Sequence, residues 1–416
     1  MEPFFTNDAI VLGILLAILA IIFHTSNLST PFWKKFYQFV PALLLCYFIP
    51  ALFHWPLGLI SGEGSQLYFV ASRYLLPASL VLLCLSIDFK GILRLGPKAL
   101  IMFFAATLGV IIGGPIALWA TISLFPGLIP LTPDELWRGL STVAGSWIGG
   151  GANQAAMKEI FEVKDNIFGS MIVVDVIVAN IWMGFLLYGA GRHKTIDRWL
   201  KADSKSIDEL VAKAEAFKQR VREYPTLPKV FGMLAVAFGA VALGHWGSEI
   251  LVPMMKRHSA WLTDYGLTSL MSPFFWLIVI ATTLGVAGSF TRFRNYEGVG
   301  ASLWGSVFIY ILVATIGMKM NLGEVFDNMG LFVIGLVWML IHVIILLGVA
   351  YFIKAPFFFI AVGSQANIGG AASAPIVATA FHPSLAPVGV LMAVLGYALG
   401  TYGALICAYL MQGVAL

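Results

Sequence analysis

The chain has 416 residues, of which 59% are hydrophobic and 11% charged, with a formal net charge of +4. So little polar surface cannot coat a soluble globule, which excludes a water-soluble enzyme and describes an integral membrane protein. A small positive charge is ordinary where Lys and Arg collect in cytoplasmic loops, and it gives no reason to expect a nucleic-acid partner.

Twelve apolar stretches approach the length that crosses a bilayer: 8–24, 36–53, 67–87, 97–122, 136–163, 166–191, 229–253, 273–290, 298–318, 328–353, 356–380 and 385–411. The N-terminus, Met1 to Asp8, is acidic and no small-residue cleavage site follows its apolar run, so 8–24 is read as a retained first helix. Within 67–87, Arg73 lies one or two turns from its helix end, where it can snorkel, pair with an acid, or hold an anionic substrate. Gly109 with Gly113, and Gly396 with Gly400, are small-xxx-small pairs that predict close helix packing. Cys46, Cys84 and Cys407 are scattered without pairing or CxxC spacing and read as structural filler.

The fifth stretch is interrupted by Gly145-Ser146-Trp147-Ile148-Gly149-Gly150-Gly151-Ala152-Asn153-Gln154. A second interruption, Gly363-Ser364-Gln365-Ala366-Asn367-Ile368-Gly369-Gly370-Ala371-Ala372-Ser373, falls in the eleventh. Unwound peptides at membrane depth need polar partners, and paired broken helices in two halves of a chain point to a transporter's binding site. A broken helix offers free N–H and C=O groups and dipole ends. The amide oxygens of Asn153, Gln154, Gln365 and Asn367 are neutral ligands suited to sodium, and their NH2 groups suit a carboxylate or carbonyl. Ser146, Gly149, Gly150, Gly151, Ser364, Gly369 and Ser373 complete the candidate substrate-binding set, with Arg73. The plainer reading is that the amides only cap the half-helices.

Between the breaks, Asp175 is the one acidic residue deep inside a drawn stretch, and an intramembrane acid by default marks an ion or proton pathway. It is an ion-binding candidate that can take a proton or sodium, unless it is locked in an ion pair with Arg73 or Lys158. Arg192 to Lys229, with ten Lys or Arg and six Asp or Glu, is the only long polar stretch. Ser206 and Glu209 have capping-box spacing there, and Ile207, Leu210, Val211, Ala214, Phe217 and Val221 share a helical face. This predicts an amphipathic connector on the membrane surface or, alternatively, a regulatory docking helix. The chain thus divides into 1–191 with its break near 145–156, the connector 192–228, and 229–416 with its break near 363–373.

Loop charge sets a puzzle. Lys34 and Lys35, Lys90, Arg94 and Lys98, then Lys158 and Lys164 read as inside, with the N-terminus outside, yet six crossings would strand the basic connector outside. In the second half Arg292, Arg294 and Lys354 read as inside and the Glu324 and Asp327 connection as outside, which requires a cytoplasmic connector. The simplest repair is that one stretch between Lys98 and Arg192 is not a full crossing, or that one was missed; either makes the two halves inverted repeats. The expected fold is all-α and polytopic, with two inverted repeats of about five helices, each with a broken crossing helix, arranged as a core bundle and a panel.

The chain resembles the uncharacterised YjcL-like family of bacterial membrane proteins and, more distantly, the bile acid:sodium symporters of the cation/proton antiporter and anion transporter superfamily. The distant likeness is carried by Leu85-Ser86-Ile87-Asp88-Phe89-Lys90 with Pro97-Lys98, by Gly150-Gly151-Ala152-Asn153-Gln154, and by Gln365-Ala366-Asn367-Ile368-Gly369. It departs from the symporters in that one residue separates Gln365 and Asn367 and no glutamate precedes them. The resemblance implies sodium-coupled symport of a small organic solute, with no cofactor beyond sodium or a proton, in the bacterial inner membrane. Asp175 keeps a proton-coupled transporter or cation/proton antiporter as the alternative. A membrane-embedded enzyme or structural protein is the alternative from another class, and a homodimer is a further expectation.

Overall fold

The computed structural model describes residues 3–40, 42–93, 95–125, 127–202, 225–265, 267–320, 322–325, 330–382 and 385–415. The amphipathic face and capping box expected within 206–221 lie outside the described residues. The long helices of the first half are α1 (Asp8–Ser26), α2 (Pro31–Phe39), α3 (Ala42–His54), α4 (Leu67–Leu85), α5 (Pro97–Leu124), α6 (Pro133–Gly149), α7 (Gly151–Ile160) and α8 (Asp165–Ala190). Those of the second are α9 (Leu227–Lys256), α10 (Pro273–Ser289), α11 (Ala301–Gly317), α12 (Leu331–Ile353), α13 (Phe357–Ile368), α14 (Gly370–Phe381) and α15 (Ala386–Ala415). Starts are legible in the sequence: Pro occupies the first turn of α5, α6 and α10, Asn7 accepts from the amides of Ala9 and Ile10, and Thr132 and Glu135 close a capping box on α6.

The two broken stretches are interrupted where the glycines predict, but neither crosses. Twenty-three residues of continuous helix would separate its ends by about 35 Å. Instead Arg138 donates from Nη1 to the carbonyl of Phe161 at 2.9 Å, and the rings of Trp137 and Phe161 meet at 5.2 Å. Lys164 also pairs with Glu135 at 2.6 Å. The stretch α6–α7 is therefore a helical hairpin whose two ends share one side. In α13–α14 the rings of Phe358 and Phe381 lie 5.3 Å apart and Gln365 donates to Ser373 at 2.8 Å, so the second stretch folds back in the same way. The expectation of broken crossing helices is corrected to a pair of re-entrant hairpins. The physical reason is local: Gly150 (φ 76°) and Gly370 (φ 59°) adopt left-handed backbone that reverses the helix, and the amide-rich tips lack the apolar length of a span.

Hairpin 1 removes one crossing from the first half, the first of the two repairs that the loop charges call for. Among the described residues seven helices are long and apolar enough to cross a membrane, α1, α4, α5, α8, α9, α12 and α15; the bent pairs α2–α3 (turned by 87°) and α10 with Arg292–Val299 bring the number to nine, and α11 is a shorter apolar helix beside them. Counted with α11, each half then has the odd number of spans that inverted repeats require. Lys158 and Lys164 are matched by Asp165 at 2.9 Å and Glu135 at 2.6 Å.

Packing separates two bodies. The core consists of α5, α8, α12, α15 and both hairpins; α5 and α12 pair through Gly109 and Gly113, whose bare faces receive His342 and Trp338. The panel consists of α1 to α4 and α9 to α11. Within it Gly285 and Gly305 let α10 and α11 close on α4. The connector's first turn, His193–Trp199, reaches the core: Asp197 accepts the amide of Phe357 at 2.7 Å and so caps α13. Asp197→Ala should cost about 1 kcal/mol through that lost cap, read as a lower midpoint in thermal unfolding of detergent-purified protein.

Candidate functional site

The first hairpin tip is built around Asp175 of α8. Its Oδ2 accepts from Ser146 Oγ at 2.6 Å and Gln154 Nε2 at 3.0 Å, and its Oδ1 accepts from Trp147 Nε1 at 2.7 Å. Ser146 and Trp147 end one arm and Gln154 begins the other, so one carboxylate staples the tip. The carboxylate is 5% exposed and all three donors are neutral. The alternative of an ion pair with Arg73 or Lys158 is overturned, because Arg73 bonds Glu159 at 2.6 Å and Lys158 bonds Asp165 at 2.9 Å. Asn180, on the same helix, bonds only back to the carbonyl of Val176 at 2.7 Å.

Asn153 is fully buried. It donates to the carbonyl of Gly149 at 2.9 Å and accepts from Thr401 Oγ1 of α15 at 2.7 Å. At the second tip Asn367 repeats the pattern, donating to the carbonyl of Gly363 at 3.0 Å and accepting from Thr107 Oγ1 of α5 at 2.8 Å. Asn153 thus fills the orphan carbonyl at the end of α6, Asn367 adds a second donor to a carbonyl inside α13, and each anchors its hairpin to a neighbouring span. Gln365 donates to Ser373, but its Oε1 is buried with no hydrogen-bond partner. Ser364 accepts from Trp182 Nε1 of α8 and bonds His342 Nε2 of α12, each at 2.8 Å.

The tips meet. A Cβ built on Gly396 of α15 would lie 2.8 Å from the carbonyl oxygen of Ile148 and 3.5 Å from that of Ala366, so one glycine touches both hairpins. The backbones of Gly149 and Gly400 are equally close, a Cβ on the first falling 2.5 Å from the Cα of the second. The small-residue pair on α15 therefore packs as the sequence predicts, and what it packs against is the site. Gly150, Gly151, Gly369, Ser373 and Tyr397 keep partial exposure at this depth, and Tyr397 faces Gly150. In the first turn of α7 the amides of Asn153 and Gln154 bond the carbonyl of Gly150 at 3.0 and 3.1 Å, which leaves those of Gly151 and Ala152 at the head of the helix, beside the carbonyl end of α6.

Of the candidates, Ser146, Gly149, Gly150, Gly151, Asn153, Gln154 and Asp175 gather at one tip, and Ser364, Gln365, Asn367, Gly369 and Ser373 at the other. Arg73 joins neither; it sits at the base of hairpin 1, over the ring of Phe274 at 4.4 Å. Sequence reasoning missed Trp147, Trp182, Thr107, Thr401 and His342. Their signal is a polar N–H or hydroxyl on an otherwise apolar helix, which must find a buried partner.

The fold and site define an all-helical polytopic membrane protein with one helical hairpin in each half of the chain. The chain belongs to the family described as a protein of unknown function (DUF819), whose model matches residues 13–414. It is similar to the uncharacterized membrane protein YjcL of Bacillus subtilis (strain 168), with 23% identity over 349 residues that cover 81% of this chain and 82% of the relative.

Proposed function

We propose that this protein is a secondary active transporter of the bacterial inner membrane, carrying a small organic anion in symport with sodium by movement of the core against the panel. The observation that carries the reading is the meeting of two hairpin tips, one from each half of the chain, at Gly396. Such an arrangement collects opposed helix ends at mid-membrane, where N–H ends suit a carboxylate and carbonyl ends suit a cation. The amide carbonyl of Gln365, 2% exposed and unpartnered, is a ready neutral ligand for sodium. The tips also carry the sequence motifs that resemble those of the bile acid:sodium symporters.

A specific observation favours a second reading. Asp175 is a buried carboxylate bonded only to neutral donors, and a proton can take the place of sodium as its counter-charge. Thermal unfolding in detergent separates the two. Under the sodium reading, sodium but not potassium raises the midpoint at constant pH, and saturation at a hundred times its Kd contributes about 2.7 kcal/mol. Gln365→Ala should then weaken sodium by about tenfold or more with the protein still folded. A midpoint indifferent to sodium, with uptake into proteoliposomes driven by a pH gradient alone, would leave the proton reading.

A further inference from the structure

At the base of hairpin 1, the side that the loop count above makes the outer one, six charged or phenolic side chains from both bodies converge. From the panel come Tyr68 and Arg73 of α4 and Lys319, just beyond α11; from the core come Lys158 and Glu159 at the end of α7 and Asp165 at the start of α8. Arg73 Nη1 bonds Glu159 Oε2 at 2.6 Å, and the hydroxyl of Tyr68 donates to Glu159 Oε1. Lys158 bonds Asp165 at 2.9 Å and the Tyr68 hydroxyl at 3.0 Å, while Lys319 crosses from the panel to Asp165 at 3.1 Å and lies over the Tyr68 ring at 4.2 Å. The side chains of Lys158 and Glu159 are only 6% and 9% exposed. Arg73 is offered from a π-helical turn, Ala71–Leu75, a local widening that re-aims a side chain and recurs at functional sites.

We infer that this cluster is an outer clasp: charge-assisted bonds of Glu159 to Arg73 and Tyr68, and of Asp165 to Lys319, fasten hairpin 1 to the panel and close the outer route to the tips. The inference rests on the transport reading above and adds its outer gate. Each cross-body bond joins groups that core movement must part, so the clasp sets the balance between the two access states. Gly150 and Tyr397, which retain partial exposure, meet at the tip of hairpin 1, the opposite end from the clasp at its base. Lys158 bonds Glu159 and Asp165 within the core and holds the acids ready for their panel partners, which keeps the buried charges matched when the clasp is made.

The test uses one reporter thiol, Tyr397→Cys, with Cys46, Cys84 and Cys407 replaced by Ala, and a membrane-impermeant maleimide applied separately to right-side-out and inside-out vesicles. Labelling in the parent is expected to dominate from the inner face. Glu159→Gln, and independently the milder Lys319→Gln, should raise the outer-to-inner labelling ratio by about tenfold, the population change that follows the loss of one charge-assisted bond. A second variant, Arg73→Cys with Glu159→Cys on the same cysteine-free background, is expected to abolish uptake when bridged by a short bis-maleimide and to fail to do so with the reagent quenched. If position 397 is labelled from both faces yet the ratio is unmoved by either Gln variant, the clasp is overturned and alternating access stands. If no variant admits reagent from the outer face while the inner face stays open, the transport reading itself is overturned, and the clasp with it.

Discussion

Asp175→Asn is expected to abolish ion-driven uptake while leaving a folded protein. The carboxylate holds Ser146, Trp147 and Gln154 together across the tip of hairpin 1. Asparagine keeps the volume and one acceptor oxygen, but its NH2 group faces the Gln154 donor and its side chain carries no charge to be compensated. Removing a buried charge offsets much of what is lost in hydrogen bonds, so the stability change should stay within about 2 kcal/mol. Transport is different, because a buried carboxylate whose charge is compensated in turn by a bound cation or proton couples an ion gradient to movement, and a neutral amide cannot replace it in that role. Uptake in proteoliposomes with imposed sodium or proton gradients should fall to the level of empty vesicles. Uptake that keeps its original ion dependence would show that Asp175 is a structural staple and nothing more.

The second large effect is expected at the glycine contact between hairpin 1 and α15. A Cβ on Gly400 would fall 2.4 Å from Asn153 Nδ2 and 2.6 Å from the Cα of Gly149, with backbone on one side and a fixed amide on the other. Neither can yield without withdrawing the tip, so Gly400→Val should cost about 3 kcal/mol or more and release Asn153 from Thr401. Gly13→Val makes the control, since nothing lies within 4 Å of a Cβ there. Thermal unfolding of the two variants in the same detergent gives the comparison; equal midpoints would remove the tight contact from the account.

Much of this architecture was legible in residue order, and the reasons are physical. Long apolar runs bounded by Pro and basic residues mark the spans, because a bilayer core leaves no other fate for them. The glycine and amide runs mark the breaks for the converse reason. Whether a broken helix continues or turns back is decided by two backbone angles, at Gly150 and Gly370, and glycine permits either outcome. The loop charges carried part of the missing information, since they call for one crossing fewer or one more between Lys98 and Arg192, and the hairpin supplies the first. Asp175 could be singled out from its surroundings, but not its partners: Ser146 and Trp147 lie nearly thirty positions away along the chain. His342, on the apolar helix α12, joins the site only through Ser364 of another helix, at 2.8 Å, a contact that residue order does not show.

The mirrored arrangement of the halves has one more implication. Two halves with like topology but opposite sidedness need not share a shape at any instant, and here their differences are concrete: hairpin 1 has arms of 17 and 10 residues, hairpin 2 of 12 and 12. Under the transport reading, exchanging the conformations of the two halves draws the opposite access state, and threading each half onto the other's backbone supplies the distances against which spin-label measurements can be compared.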